Sequence, residues 1–212
     1  MLLPTQPLIH VDDALIAADK PADLLSVPGR GPENADCLAA RLQAVYADAL
    51  IVHRLDMATS GLIVFGRGPA VQRTLSIAFA ERRVAKTYVA IVDGLLSADA
   101  GEIDLPLIAD WPNRPRQVVD RDRGKPSHTR WRVLARDEDR LRTRVELEPV
   151  TGRSHQLRVH LQAIGHPILG DTLYAPETIA AASPRLLLHA SRLRLAHPID
   201  GREIDLPSPP PF

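Results

Sequence analysis

The sequence predicts an α+β domain with a mixed, largely antiparallel sheet flanked by helices. Three observations carry that expectation. Short β-branched or alternating runs recur along most of the chain, and only three stretches show helical periodicity. The length of 212 residues, with 45% hydrophobic and 25% charged residues, suits one ordinary folded domain that could be bilobed.

In chain order, residues 8–11 and 14–18 read as short strands, followed by turn-rich sequence over 20–32. A helix is expected over 36–46, with Asp36 as its N-cap. Leu62-Ile63-Val64-Phe65 is a β-branched strand, and the polar loop ahead of it holds Asp56. After Gly68-Pro69 a second helix runs over 70–82, with Val71, Leu75, Ala78 and Phe79 on one side. Residues 86–93 alternate as a strand, placing Tyr88, Ala90 and Val92 on one face and Thr87, Val89 and Ile91 on the other. Further strands are expected at 102–105, 116–119, 129–134, 141–148 and 186–195, with one helix at 154–164. The proline-rich end, 207–212, reads as a frayed tail.

Composition excludes several classes. The single cysteine, Cys37, cannot form an internal disulfide or a cysteine-based metal site and reads as a small buried thiol. No apolar run reaches bilayer length, and residues 1–10 lack a basic stretch followed by an apolar one, so a cytoplasmic location is expected. The formal net charge is zero, but its distribution is uneven: residues 1–50 hold three basic residues against seven acids, and residues 111–160 hold thirteen against seven. Only Lys20, Lys86 and Lys125 are lysines. The many arginines suit phosphate and base recognition, and codon usage would enrich them equally well.

The most informative run is His53-Arg54-Leu55-Asp56-Met57-Ala58-Thr59-Ser60-Gly61, which sets one acid beside an arginine just ahead of an apolar strand. A carboxylate there is a candidate base or nucleophile. On these residues alone it could equally cap a turn or pair with Arg54. His155 and His160 lie five apart, a poor match to a helical zinc pair, and read as structural or RNA-contacting.

This run resembles the hallmark of the RluA-type pseudouridine synthases, HRLD followed closely by TSG. Leu24-Leu25-Ser26-Val27-Pro28-Gly29-Arg30, Asp110-Trp111-Pro112-Asn113-Arg114-Pro115, Thr151-Gly152-Arg153-Ser154-His155-Gln156-Leu157-Arg158-Val159-His160 and Leu186-Leu187-Leu188-His189-Ala190 resemble further segments of that family in the same order. The resemblance covers nearly the whole chain. It implies the pseudouridine synthase catalytic fold as a single domain over 1–212. The small S4-like N-terminal RNA-binding domain of longer members would not fit ahead of Leu8.

The implied reaction breaks the bond from ribose C1′ to uracil N1, rotates the base and rejoins it through C5. No atom is gained or lost, so no cofactor and no metal are expected. The resemblance makes Asp56 the catalytic carboxylate and Arg158 its charge partner. It makes Tyr88 the ring that stacks on the uracil and assists proton removal at C5, with Leu187 and Leu188 as the floor of the base pocket. A flipped nucleotide leaves a space that Arg54 would fill. His53, Thr59, Arg153 and His155 are expected at the RNA surface, and Arg82, Arg83, Lys86, Arg114, Arg116 and Lys125 at phosphates. The implied partners are the tRNA anticodon stem-loop and a hairpin of 23S rRNA, with no membrane and no obligate protein partner. Two other classes stay open: a noncatalytic RNA-binding protein retaining the fold, and a glycosidic hydrolase, which would usually need a second carboxylate.

Overall fold

Residues 7–212 are described by a computed structural model, in which the chain forms two units. The first comprises the chain up to Lys86 together with His189–Pro211, and the second comprises Thr87–Leu188 with Phe212.

The first unit is organised by β4 (Ser60–Arg67), whose first seven residues are all buried. Its apolar run has no polar alternation because both of its faces are covered. β2 (Leu15–Lys20) lies antiparallel along it, from Leu15 opposite Gly66 to Lys20 opposite Gly61, and β1 (Leu8–Val11) flanks β2. On the other side β11 (Leu188–Ala196) runs parallel to β4, with His189 opposite Ser60. Gly61 has φ 109°, and a Cβ there would strike the Ala190 carbonyl oxygen, so only glycine lets the two strands approach so closely. β3 (Ala49–Ile51) pairs with the far end of β4, and β12 (Glu203–Pro207) pairs with β11.

Helix α1 (Leu38–Gln43) packs Leu38 and Leu42 against Ile16, Ile63 and Phe65. Its N-cap is Cys37, whose Sγ accepts from the Ala40 N–H at 3.4 Å, where Asp36 was expected. Asp36 instead takes the Arg41 guanidinium bidentately, at 2.7 and 2.6 Å. The arginine five residues on outcompetes the helix terminus for its carboxylate. Cys37 is wholly buried, as a structural thiol should be. Helix α2 (Gly68–Ala80) fully buries only Leu75 of its apolar stripe, with Val71, Ala78 and Phe79 half-buried.

The second unit carries an antiparallel sheet in the order β5 (Ala85–Asp93), β10 (Arg142–Pro149), β9 (His128–Asp137), β6 (Ala100–Asp104). Tyr88 of β5 stands opposite Leu147. Helix α3 (Gln156–Ala163) is shorter than its expected span, because His155 ahead of it has φ 54° and lies outside the helix. β7 (Leu107–Ala109) and β8 (Gln117–Val119) form a separate hairpin, and Leu107, Val159 and Tyr174 make a small cluster at its root. The four-residue α4 (Glu177–Ala180) completes the unit.

β3, β7 and β12, of three to five residues each, were not anticipated. The expectation of a frayed tail is overturned. β12 is laddered to β11, and the Ser208 N–H donates to the Ser191 carbonyl at 2.8 Å. The Phe212 carbonyl accepts from Arg144 Nη1 at 2.6 Å, while Arg185 lies 5.7 Å from the Phe212 ring centroid. Prolines hid this because they suit an edge strand as well as a coil. Among the described residues no helix is long and apolar enough to cross a membrane.

Candidate active site

Asp56 sits half-buried in the loop that enters β4, and its carbonyl accepts from the Thr59 N–H at 3.1 Å, closing a turn. The backbone on both sides of it is pinned. Ser26 Oγ donates to the Leu55 carbonyl at 2.8 Å and accepts from the Leu55 N–H at 3.1 Å. Lys20 Nζ, with no exposed surface, donates to the carbonyls of Pro21, Leu24 and Met57 at 2.8, 2.7 and 2.8 Å. An ammonium is tolerated at such depth because carbonyl oxygens replace its water.

Lys20 was not singled out from the sequence, although it is one of three lysines and ends an apolar strand just before a proline. Lys20→Met would leave three carbonyls without this donor, at about 1–3 kcal/mol for each that stays dry. Urea unfolding is expected to show a loss of at least about 2 kcal/mol.

His53 is committed to structural contacts on the same loop. Its Nε2 accepts from the Val64 N–H at 3.0 Å, so the neutral ring carries its proton on Nδ1, and the ring stacks on Phe79 at 4.2 Å and 19°. Burial, then the charge of Lys86, lowers its pKa to about 3. That lies below the ordinary histidine value of 6.5, so the unfolded chain takes the proton first. The resulting stability is present at neutral pH and is lost as pH falls from about 6.5 towards 3. His53→Gln keeps an acceptor for Val64 without titrating. Urea midpoints at pH 7.5 and 5 should therefore fall less for this variant than for wild type.

Of the other residues expected at the RNA surface in this unit, Thr59 is buried, and Arg54, Arg82 and Arg83 are exposed. Arg83 pairs with Glu81 at 2.8 Å. Lys86 is half-buried, and burial, followed by the nearby Arg82 charge, lowers its pKa.

In the second unit Arg158 is buried on α3 and grips Asp171 bidentately, Nε to Oδ2 at 2.8 Å and Nη2 to Oδ1 at 2.6 Å. Asp171 Oδ1 also accepts from the N–H groups of Leu173 and Tyr174, at 3.0 and 3.1 Å, so the carboxylate both holds the arginine and shapes a turn. The Tyr174 ring centroid lies 5.1 Å from the Arg158 guanidinium and 5.5 Å from that of Arg116. Its hydroxyl accepts from the Gln117 N–H at 2.8 Å and lies 2.6 Å from His155 Nδ1. Arg116, His155 and Arg158 thus converge on one tyrosine.

Neither Asp171 nor Tyr174 was anticipated. The signal was the turn run Gly170-Asp171-Thr172-Leu173-Tyr174, an aspartate free to cap its own turn.

Buried Gln156 organises the 151–155 turn, accepting from Thr151 Oγ1 at 2.6 Å and from the Arg153 N–H at 3.1 Å. His160 is wholly buried, between Thr129 Oγ1 and the Leu105 carbonyl, both at 2.9 Å, which makes it structural. Arg153 is exposed, with Nε donating to the Pro126 carbonyl at 3.3 Å. Arg114 and Lys125 are exposed as well. Leu187 is half-buried and bonded through its backbone to Ile91 and Leu169, and Leu188 is buried at the start of β11.

The sequence pattern of RNA pseudouridylate synthases matches residues 14–163 of this chain. The dual-specificity RNA pseudouridine synthase RluA of Pasteurella multocida is 49% identical over 212 residues, which are 99% of this chain and 96% of that protein. RluA of Escherichia coli K12 is 49% identical over 205 residues, covering 97% and 93%. Among solved structures, human RNA pseudouridylate synthase domain containing 1 superposes with a TM-score of 0.83 at 27% identity, covering 99% of this chain and 85% of its own.

Proposed function

The chain belongs to the RNA pseudouridylate synthase family and isomerises uridine to pseudouridine in RNA, and on that premise we propose its substrates and the residues that act on them. The substrates are uridines of the tRNA anticodon stem-loop and of a 23S rRNA hairpin, modified in the cytoplasm. The observation that carries this is the 49% identity, over 99% of the chain, to a synthase named for dual specificity.

Asp56 performs the central step, beside C1′ and the base. Its loop supports that role, because Ser26 and Lys20 fix the backbone on either side while the side chain stays half-exposed. A reaction with no atom gained or lost needs this kind of held carboxylate more than a second acid. Arg158 supplies the positive charge that serves this carboxylate in the reaction, and Asp171 sets the direction of that guanidinium. Tyr88 stacks on the uracil and takes part in proton removal at C5, over a floor formed by Leu187 and Leu188. Arg54, exposed two residues from Asp56, fills the space left by the flipped nucleotide.

Unmodified transcripts of the anticodon stem-loop and of ribosomal hairpins, incubated with the protein and mapped for pseudouridine, test the substrates. Modification of both RNA kinds is expected, and modification confined to one would cut the proposal to that RNA.

A further inference from the structure

We propose that Trp111, at the tip of the β7–β8 hairpin, is a stacking platform for an unpaired RNA base other than the target uridine. The proposal rests on the reading that this chain acts on RNA. Trp111 is 67% exposed, and an indole held in water forgoes the burial that normally stabilises it. The tip that presents it is tied together. The Asp110 N–H donates to the Arg116 carbonyl at 2.9 Å, the Asn113 N–H to the Asp110 carbonyl at 3.1 Å, and Asn113 Nδ2 to Asp110 Oδ2 at 2.9 Å.

The Arg114 guanidinium carbon lies 3.9 Å from the indole centroid. It covers one face of the ring in a cation–π contact, and its charge favours an anionic ligand beside the indole. The hairpin root is fixed as well, through the Gln117 N–H on the Tyr174 hydroxyl and through Leu107, which exchanges backbone hydrogen bonds with Lys125 at 3.0 and 2.8 Å. Of the aspartates of this region, Asp110 holds Asn113 and Asp120 holds Arg123, while Asp122 is exposed. The arrangement therefore favours a polyanion with a free base face, which is a single-stranded loop. Every base has a π-face, so such a platform senses lack of pairing and not sequence.

The chain has two tryptophans, so in a Trp131→Phe background Trp111 becomes the sole indole reporter. Hairpin RNA with an unpaired loop is expected to quench its emission, while a fully paired duplex of equal length, bound to the same occupancy by anisotropy, leaves it unchanged. Trp111→Ala should weaken hairpin binding about tenfold, and Trp111→Phe should restore most of the loss. Equal quenching by both RNAs, or unchanged hairpin affinity in Trp111→Ala, overturns the proposal. Pseudouridine is assayed in the same samples. Its formation without quenching removes the platform and leaves the isomerase, whereas quenching without pseudouridine keeps the platform and removes the catalytic reading.

Discussion

Asp56→Ala is expected to lower pseudouridine formation at least about a thousandfold while the fold and the RNA affinity persist. The loop is held by its backbone, through Ser26 on Leu55 and Lys20 on Met57, and neither contact uses the Asp56 side chain. On the proposed role of Asp56, removing the carboxylate takes away chemistry while these backbone anchors of the loop remain. Asp56→Asn keeps the volume and polarity and should be as inactive, since an amide is neither a base nor a nucleophile. Circular dichroism and anisotropy binding to stem-loop RNA check the retained properties. A folded, RNA-binding Asp56→Ala with wild-type turnover would move the catalytic role elsewhere.

The second large effect is expected at Asp171, whose part is structural. Asp171→Ala would take the bidentate acceptor from the Arg158 guanidinium, with side chains only 4% and 0% exposed in the pair, and breaking such a pair destabilises by about 3–5 kcal/mol. The turn N–H groups of Leu173 and Tyr174 lose their acceptor in the same step. Arg158→Met combined with Asp171→Leu replaces the pair by apolar side chains of similar size and should recover the cost of the broken pair, though not that of the two turn N–H groups. It should not recover turnover if Arg158 is the charge that serves Asp56. Urea unfolding and a turnover assay on the two variants separate the roles, and a double variant that regains both would make Arg158 structural alone.

Much of this was legible in the sequence, and the rest was hidden for specific reasons. The apolar run of β4 and the alternation of β5 predicted strands because burial on one or both faces writes directly into residue type. Asp56 became a catalytic candidate only through the family motifs, since its turn-forming sequence by itself spoke more for a capped turn. The bidentate partner of Arg158 was not legible, because Asp171 lies 13 residues away beyond a turn that no periodicity describes. Lys20 looked like an ordinary surface charge, and its burial depends on carbonyls from residues as distant as Met57. Asp36 was the expected N-cap, but its carboxylate is held by Arg41 and Cys37 caps the helix. The exposure of Trp111 had no signal at all, since an indole in a loop is as readily buried as displayed.

Isomerisation is tested most directly by release of tritium from [5-³H]uridine-labelled tRNA by the wild-type protein. One tritium released for each pseudouridine recovered in the digest, with no free uracil, is the expected result. No release despite measurable RNA binding, or release accompanied by free uracil, would contradict it.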